Sequence, residues 1–338
     1  MSAHIIHGLL SQTGGPEVIK KLTVPFPTVQ PGDVVIKTDY LGVNFIDTYF
    51  RQGLYPLKSF PAGIGKETAG TVVALPTDPT VLADPDFQKL GLKVGNKVAA
   101  DQLGSHSTYI SVPWTVVYPI PAGVSTLTGA AALLQGLTAL TFAEEAYAIQ
   151  KGDTVLIHTA AGGLGLLLVQ LAKARGATVI GTTSTPEKAE IAKANGVDHI
   201  ILYKNENTEQ RVLELTNGEG VDAVFDGVGK DTFELDLNIL RRKGTLVSIG
   251  NASGAIPPFQ PLRLSAKNIK LCRPMMSNYV YTPAEKYNYS QQLFKLIATD
   301  ALKIKVFQEY PFTAEGVQQA QKDLVTGKTI GKLVIKVD

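Results

Sequence analysis

The chain has 338 residues, more than one hydrophobic core usually spans, so two domains are expected. With 44% hydrophobic and 18% charged residues, the composition is typical of a globular protein and excludes a disordered or fibrous one. The formal net charge of +2 singles out no class of partner, and the single cysteine, Cys272, excludes an internal disulfide and a cysteine-based zinc cluster.

The N-terminal sequence MSAHIIHGLL lacks the charged start and long apolar core of a signal peptide. No apolar run reaches the roughly 18 residues of a membrane span, because Gly, Lys or Thr interrupts the longest ones. We therefore expect a soluble protein of the cytoplasm that has no membrane partner, with the nucleus as the alternative location.

Residues 1 to about 130 are predicted to form short β segments separated by Pro and Gly, namely DVVIKTDYLGV, GTVVAL, NKVAA and STYISVP. A polar, proline-containing insertion at 76–91 is predicted to be a surface loop. The stretch STLTGAAALLQGLTALTFAEEAYAIQKGD then places Ala, Leu and Glu at helical spacing, which predicts one or two helices.

The next part of the chain alternates regularly between strands and helices. The predicted elements are strand Thr154–His158, helix Gly163–Arg175, strand Thr178–Gly181, helix Pro186–Asn195, strand His199–Leu202, helix Thr208–Thr216, strand Asp222–Phe225, helix Asp231–Arg241 and strand Thr245–Ile249. Strands that alternate with helices of roughly 10–15 residues indicate right-handed βαβ units on a doubly wound parallel sheet.

The strands in the last part of the chain resemble those of the first part more than those of the middle part. A helix at Pro283–Thr299 is followed by the segment IKVFQEYPF, a final helix and the strand GKLVIKV. We therefore predict an α/β protein in which 1–130 and 281–338 form one discontinuous β-rich domain and 131–280 form an inserted doubly wound domain.

A glycine-rich turn follows the first strand of the inserted domain. The sequence TVLIH leads into TAAGGLG and then into the helix LGLLLVQLAKARG. Gly162 permits a tight turn, Gly163 lets the backbone approach a pyrophosphate, and Gly165 lets the helix pack closely on the strand. The pattern indicates a dinucleotide site, and the alternative is an ordinary strand–helix turn.

The end of the second strand indicates which nucleotide binds. A site that prefers NADH normally has Asp or Glu about 20 residues after the glycines, to accept hydrogen bonds from the ribose hydroxyls. Here the strand ends in neutral residues that include Thr183 and Ser184, and Lys188 follows in the next helix. These residues predict a 2′-phosphate site and hence NADPH, whereas the alternative for Lys188 is a solvated helix cation.

Four sequence blocks resemble the quinone oxidoreductase/zeta-crystallin family, a zinc-independent branch of the medium-chain dehydrogenases/reductases. They are GDTVLIHTAAGGLGLLLVQLAK, GVNFIDTYFRQGLYP at 42–56, QGLTA at 135–139 and GNASGA at 250–255. The resemblance covers essentially the whole chain in the same order. It implies a GroES-like β-rich catalytic domain, a Rossmann domain, a homodimer, and NADPH-dependent reduction of quinones, ortho-quinones among them.

The resemblance also implies roles for individual residues. Asn44, Thr138, Gly250 and Asn251 would line the nicotinamide and its ribose. Tyr203 would lie near the adenosine end and Arg273 and Lys332 near the phosphates. With the residues of the glycine turn, the expected cofactor-binding set is Asn44, Thr138, Gly162, Gly163, Leu164, Gly165, Thr183, Ser184, Lys188, Tyr203, Gly250, Asn251, Arg273 and Lys332.

Zinc-dependent relatives need Cys or His ligands at positions that this chain fills differently. Those positions hold Asn44, the pair Lys66–Glu67, and Gln135. A protonated lysine cannot bind zinc, and amides are poor ligands beside thiolates, so no metal is expected. The five histidines show no paired spacing and are interpreted as structural.

Reduction of a simple carbonyl needs an electrophile on the oxygen, and the sequence contains no dedicated donor. Quinones and conjugated enones need less help, because the electrons spread over a conjugated system. The candidate catalytic residues are Asn44, which would fix the cofactor, and Tyr49 and Tyr55, which would face a planar substrate. The alternatives are a turn-forming Asn and core tyrosines.

Two other functions remain open at this stage. An NADPH-dependent alkenal or enone reductase would use the same cofactor apparatus on an aliphatic acceptor. Binding of AU-rich RNA, implied by some relatives, is the non-enzymatic alternative. The sequence shows neither a basic stripe nor an aromatic stacking cluster, so RNA binding would be secondary.

Overall fold

The computed structural model describes residues 4–26 and 28–338. The chain forms two compact units. Unit 1 contains the residues up to Leu134 together with Thr282–Asp338, and unit 2 contains Gln135–Tyr281.

The strands and helices are numbered along the chain. The strands are β1 His4–Leu10, β2 Ile19–Pro25, β3 Asp33–Val43, β4 Ala62–Gly63, β5 Glu67–Ala74, β6 Lys97–Asp101, β7 Tyr109–Pro113, β8 Val117–Pro119, β9 Thr154–Ile157, β10 Thr178–Thr183, β11 His199–Leu202, β12 Val221–Asp226, β13 Leu240–Ser248, β14 Lys270–Cys272, β15 Val306–Pro311 and β16 Lys332–Lys336. The α-helices are α1 Phe45–Gln52, α2 Pro79–Leu82, α3 Pro85–Leu90, α4 Thr126–Thr141, α5 Gly163–Ala174, α6 Pro186–Ala194, α7 Thr208–Leu215, α8 Phe233–Ile239, α9 Met276–Tyr279, α10 Pro283–Ala298 and α11 Ala314–Val325.

Unit 1 is built around a mixed sheet in the order β15-β16-β3-β5-β6-β8, with β7 paired to β3. The long strand β3 pairs antiparallel with β5, β7 and β16, so the last strand of the chain lies against one of the first. Register shifts in β3 let it contribute to two cores. Val34 and Ile36 pack into one core, whereas Leu41 and Val43 pack into the other.

Unit 2 is a parallel sheet in the order β11-β10-β9-β12-β13-β14. The chain moves outward from β9 in one direction and then from β12 in the other, which is the doubly wound order of a Rossmann domain. The predicted fold class, a GroES-like β-rich unit plus a Rossmann unit, is confirmed. Loops after β9, β10, β12 and β13 therefore gather at the carboxyl edge of the sheet, where such folds bind ligands.

One helix has the length and composition of a membrane span. It runs from Thr126 to Ala146, with a π-helical end after α4, and its most apolar 18-residue window has a mean hydropathy of 1.3. The helix itself was predicted, but its apolar length was not, because its scattered Gly and Thr residues barely lower the mean hydropathy. Buried residues make up 78% of its most apolar window, which is typical of a core helix.

The insertion at 76–91 is not the surface loop that the sequence predicted. It forms helices α2 and α3, and the Asp78 and Asp84 side chains accept hydrogen bonds from the backbone N–H groups at the two helix starts. Phe87 on α3 is buried against Trp114, with ring centroids 5.6 Å apart. The Pro and Asp residues that indicated a loop are the helix-starting signals.

Phe87 provides a test of this packing. Replacing it with alanine is expected to lower the free energy of unfolding by about 3 kcal/mol, because the change leaves a cavity in a core. Leu82→Ala is the matched control, since Leu82 is 43% exposed and lies in the same insertion. Urea denaturation measures both changes, and equal effects of the two substitutions would contradict the packing.

Candidate active site

The glycine turn of unit 2 leaves no room for side chains. Gly162 precedes α5, and a Cβ atom on Gly165 would lie 2.4 Å from the carbonyl oxygen of Thr159. Thr159 itself has a φ of 52°, a conformation that threonine rarely adopts. The predicted residues Gly162, Gly163, Leu164 and Gly165 thus form the N-terminal end of α5, whose free N–H groups suit a phosphate.

The end of β10 carries a buried threonine hydroxyl, and two lysines follow it in the chain. Thr183 is 2% exposed, and its Oγ1 atom has no hydrogen-bond partner among the described residues. Burial, and secondly the charge of Lys204, lower the pKa of Lys188. Half-buried Ser184 follows Thr183, and Tyr203 donates its backbone N–H to the carbonyl of Thr183 at 3.2 Å. The arrangement has the polar hydrogens and positive charge that a phosphate needs.

The loop after β13 contains Gly250 and Asn251. A Cβ atom on Gly250 would lie 2.6 Å from the carbonyl oxygen of Gly227, so this position needs glycine. Arg273 donates to the carbonyl oxygens of Ser248 and Gly250, at 3.0 and 3.1 Å. The resemblance implies a phosphate contact for Arg273, whereas the structure shows it bound to this loop.

A second cluster in unit 2 was not predicted. His158, Asp226 and Asp236 are all buried, and one ligand-type atom of each lies within 4.8 Å of the others. Both histidine nitrogens and both oxygens of Asp226 already have hydrogen-bond partners, so we interpret the cluster as a hydrogen-bond network rather than a metal site. From the sequence, His158 was interpreted only as a structural residue.

In unit 1, Asn44 belongs to a buried ion-pair cluster that we define as Asn44, Asp47, Glu67 and Lys332. The Lys332 ammonium lies 2.7 Å from Oε2 of Glu67 and 2.5 Å from Oδ1 of Asn44. The Asn44 amide donates to Oε2 of Glu67 at 2.9 Å. Oε1 of Glu67 accepts the Leu134 N–H at 2.7 Å. The positions of the amide oxygen and nitrogen of Asn44 are therefore fixed by opposite charges.

This cluster changes the interpretation of Lys332. The resemblance implies that Lys332 lies near the cofactor phosphates, but only 3% of the residue is exposed and its ammonium contacts Glu67. A buried carboxylate such as Glu67 needs a cation, and Lys332 supplies it. Lys66, at one of the positions where zinc-dependent relatives have ligands, likewise pairs with Asp101.

Asp47 completes the cluster. It accepts the backbone N–H of Asn44 at 2.8 Å, as the third residue of α1 does in a capping box. Its Oδ1 atom is buried and has no hydrogen-bond partner among the described residues. Burial raises the pKa of Asp47 to about 7, although the Asn44 hydrogen bond and the charge of Lys332 oppose this change. The Asn-x-x-Asp spacing could have identified Asp47 from the sequence.

The remaining predicted residues are Tyr49 and Tyr55 in unit 1 and Thr138 in unit 2. Tyr49 is buried on α1, and half-buried Tyr55 lies edge-on to it, with ring centroids 5.3 Å apart. Their contact fits the core-tyrosine alternative for Tyr49, while Tyr55 keeps an accessible side. Thr138 lies in α4, and its carbonyl accepts the hydroxyl of Thr141 at 3.3 Å.

Asp47 makes stability depend on pH in a defined direction. Asp47 keeps its proton up to a pKa of about 7 in the folded protein, whereas the ordinary pKa of an Asp side chain is 3.8. Between these values the folded state binds more protons, so the free energy of unfolding falls as pH rises. Relative to Asp47→Asn, wild type is expected to lose about 2 kcal/mol between about pH 5.5 and about pH 8. Urea denaturation at both pH values tests this, and a pH-independent difference would contradict it.

Two family models match the chain. The alcohol dehydrogenase GroES-like domain matches residues 30–122, and the zinc-binding dehydrogenase domain matches residues 163–298. The first lies in unit 1 and the second covers most of unit 2, ending in α10.

Curated relatives and solved structures match nearly the full length. A probable quinone oxidoreductase of Schizosaccharomyces pombe is 40% identical over 96% of this chain and 95% of its own. A 2-haloacrylate reductase of a Burkholderia species is 32% identical over 98% of both chains. The structure of Escherichia coli quinone oxidoreductase complexed with NADPH superposes with a TM-score of 0.91 and 34% identity, over 98% of this chain and 99% of that one.

The matches agree with the four sequence blocks and with the doubly wound order of unit 2. The identity is well above the level at which a shared fold alone would be inferred. The chain belongs to the quinone oxidoreductase family of the medium-chain dehydrogenases/reductases.

Proposed function

We propose that this protein is an NADPH-dependent quinone reductase that works without zinc. The observation that carries the proposal is the buried hydroxyl of Thr183, which has no hydrogen-bond partner among the described residues and lies five positions before Lys188 in the chain. A 2′-phosphate would accept a hydrogen bond from this hydroxyl. No acid stands at the end of β10, where it would repel that phosphate.

The glycine turn supports the same cofactor. The close contacts at Gly162 and Gly165 bring bare backbone to the N-terminal end of α5, which suits a pyrophosphate. The solved Escherichia coli relative is complexed with NADPH. We assign the adenosine 2′-phosphate to Thr183, Ser184, Lys188 and Tyr203, and we assign the nicotinamide side to Thr138, Gly250 and Asn251.

The bound cofactor would supply the hydride. Within unit 1 the chain contributes orientation, because Glu67 and Lys332 hold the Asn44 amide and leave its second N–H for a ligand. Tyr55, with Tyr49 behind it, offers an aromatic edge to a flat acceptor. The chain has no dedicated proton donor for an alkoxide, so it suits acceptors that spread the incoming charge. Among these we propose quinones, with ortho-quinones included.

Lys188 tests the cofactor assignment. Lys188→Glu is expected to reduce the preference for NADPH over NADH by about 10- to 100-fold, because a charge-assisted contact becomes repulsive. Lys193→Glu is the matched control, since Lys193 lies on the same helix with its side chain 54% exposed. Titrations of intrinsic fluorescence with each nucleotide give the ratio. Unchanged discrimination in the Lys188 variant would remove this residue from the phosphate site.

A second activity is reduction of conjugated alkenes, favoured by the 2-haloacrylate reductase among the relatives. NADPH oxidation should be measured with phenanthrenequinone, a naphthoquinone and a series of 2-alkenals under the same conditions. We expect a higher kcat/KM for at least one quinone than for every alkenal. A higher value for an alkenal would identify the protein as an alkenal reductase instead.

The homodimer and the secondary RNA binding stay predictions from the resemblance. The same holds for the catalytic role of unit 1, and the cytoplasmic location stays a prediction from the sequence. None of them is needed for the cofactor assignment.

A further inference from the structure

Four buried side chains form a row beneath the loops at the carboxyl edge of the unit 2 sheet. They are Asp226 at the end of β12, Asp236 on α8, His158 just after β9, and Thr182 on β10. None of them is more than 5% exposed. We call this set the buried relay.

The middle of the relay consists of two hydrogen bonds of His158. Its Nε2 atom lies 2.8 Å from Oδ1 of Asp236, and its Nδ1 atom lies 3.0 Å from Oγ1 of Thr182. One histidine therefore joins α8 to the end of β10.

The two ends of the relay hold backbone at the proposed cofactor loops. At one end, Asp226 accepts the N–H groups of Val228 and Gly229, at 2.7 and 3.0 Å. At the other end, Oγ1 of Thr182 accepts the N–H of Thr159 at 3.2 Å. Thr159 is the residue with a φ of 52° at the start of the glycine turn, so the relay ends on a strained backbone position.

Counting donors fixes the direction of these hydrogen bonds. Because Thr182 already accepts the Thr159 N–H, its own hydroxyl hydrogen can go to Nδ1 of His158. Nε2 then carries the histidine proton and donates to Asp236. A doubly protonated His158 would leave the Thr182 hydroxyl hydrogen without an acceptor in the part of the chain that the structure describes.

Asp236 is the second acid of the relay. Its Oδ2 atom is buried and has no hydrogen-bond partner among the described residues, and Asp226 is its acidic neighbour. Burial raises the pKa of Asp236 to about 6, although His158 opposes this change. Burial would lower the pKa of His158, but the charge of Asp236 raises it, so the ring proton on Nε2 and the Asp236 carboxyl attract each other.

We propose that the buried relay positions the glycine turn and the loop after β12 for NADPH. The relay residues act through the backbone and are positioning residues. The inference rests on the proposed function, because NADPH is the ligand for which the loops are positioned.

The first test changes only a hydroxyl group. Thr182→Val keeps the side-chain shape but removes both hydrogen bonds, and the dissociation constant for NADPH is expected to rise about tenfold or more. Thr178→Val is the matched control on the same strand, and Thr182→Ser should restore most of the affinity. NADPH fluorescence titration gives each constant. Equal constants for the Thr182→Val and Thr178→Val proteins would overturn the relay.

The second test separates the two acids. Asp236→Asn keeps an acceptor oxygen for Nε2 of His158, whereas Asp226→Asn removes one of the two oxygens that bind the backbone N–H groups of the loop after β12. The Asp236 variant is therefore expected to bind NADPH about tenfold more tightly than the Asp226 variant. Equal loss in both variants would contradict the proposal.

Nitrogen-15 NMR of His158 gives a readout that does not depend on activity. A proton on Nε2 is expected, together with an Nδ1 signal that shifts in the Thr182→Val protein, and an Nδ1 signal that this change leaves in place would overturn the relay. Wild-type protein that fails to bind NADPH would contradict the proposed function. Wild-type binding that the Thr182→Val change does not weaken would contradict the relay alone.

Discussion

The buried ion pair between Lys332 and Glu67 determines the arrangement of unit 1. Glu67 begins β5, Lys332 begins β16, and Asn44 precedes α1, so the pair joins the start and the end of the chain. Removing one partner from such a pair typically costs about 3–5 kcal/mol, because the other charge stays buried. The pair lies where β16 begins to pair with β3, and both of its members contact the Asn44 amide and orient it.

In unit 2, buried hydrogen bonds and close backbone packing hold the loops in place. Its loops gather at the carboxyl edge of the sheet because the strand order reverses between β9 and β12. Close packing at Gly165 and Gly250 sets how near the backbone can come to a ligand, and buried hydrogen bonds hold the loops there. Lys188, in the helix that follows β10, is close enough to Lys204 for their charges to interact, and this positive charge suits a phosphate.

The sequence was sufficient for the fold because its signals are local. The alternating βαβ pattern predicted every strand from Thr154 to Ser248 within a few residues, and the glycine turn lies where the helix begins. It was insufficient at 76–91, since Asp-Pro pairs start short helices as readily as they end strands. Strand β14 was also missed, because three residues are too few for a periodicity.

The candidate site was predictable only in part. Asn44, Thr183 and Lys188 were recognisable from short motifs. The hydrogen-bond partners of Lys332, which are Asn44 and Glu67, lie more than 260 positions away from it in the chain. His158 and Asp236 are likewise 78 residues apart and meet only through the sheet and α8. Such pairs carry no local signature, so the sequence suggested a phosphate contact for Lys332 where the fold provides a carboxylate.

Whether the Lys332–Glu67 pair takes the place of a metal at the candidate active site can be measured directly. The direct measurement is NADPH oxidation with a quinone by protein dialysed against 1,10-phenanthroline, together with metal analysis of the same sample. Protein that contains no stoichiometric metal is expected to oxidise NADPH at the full rate. Turnover that is lost on dialysis and restored by Zn²⁺ would contradict it.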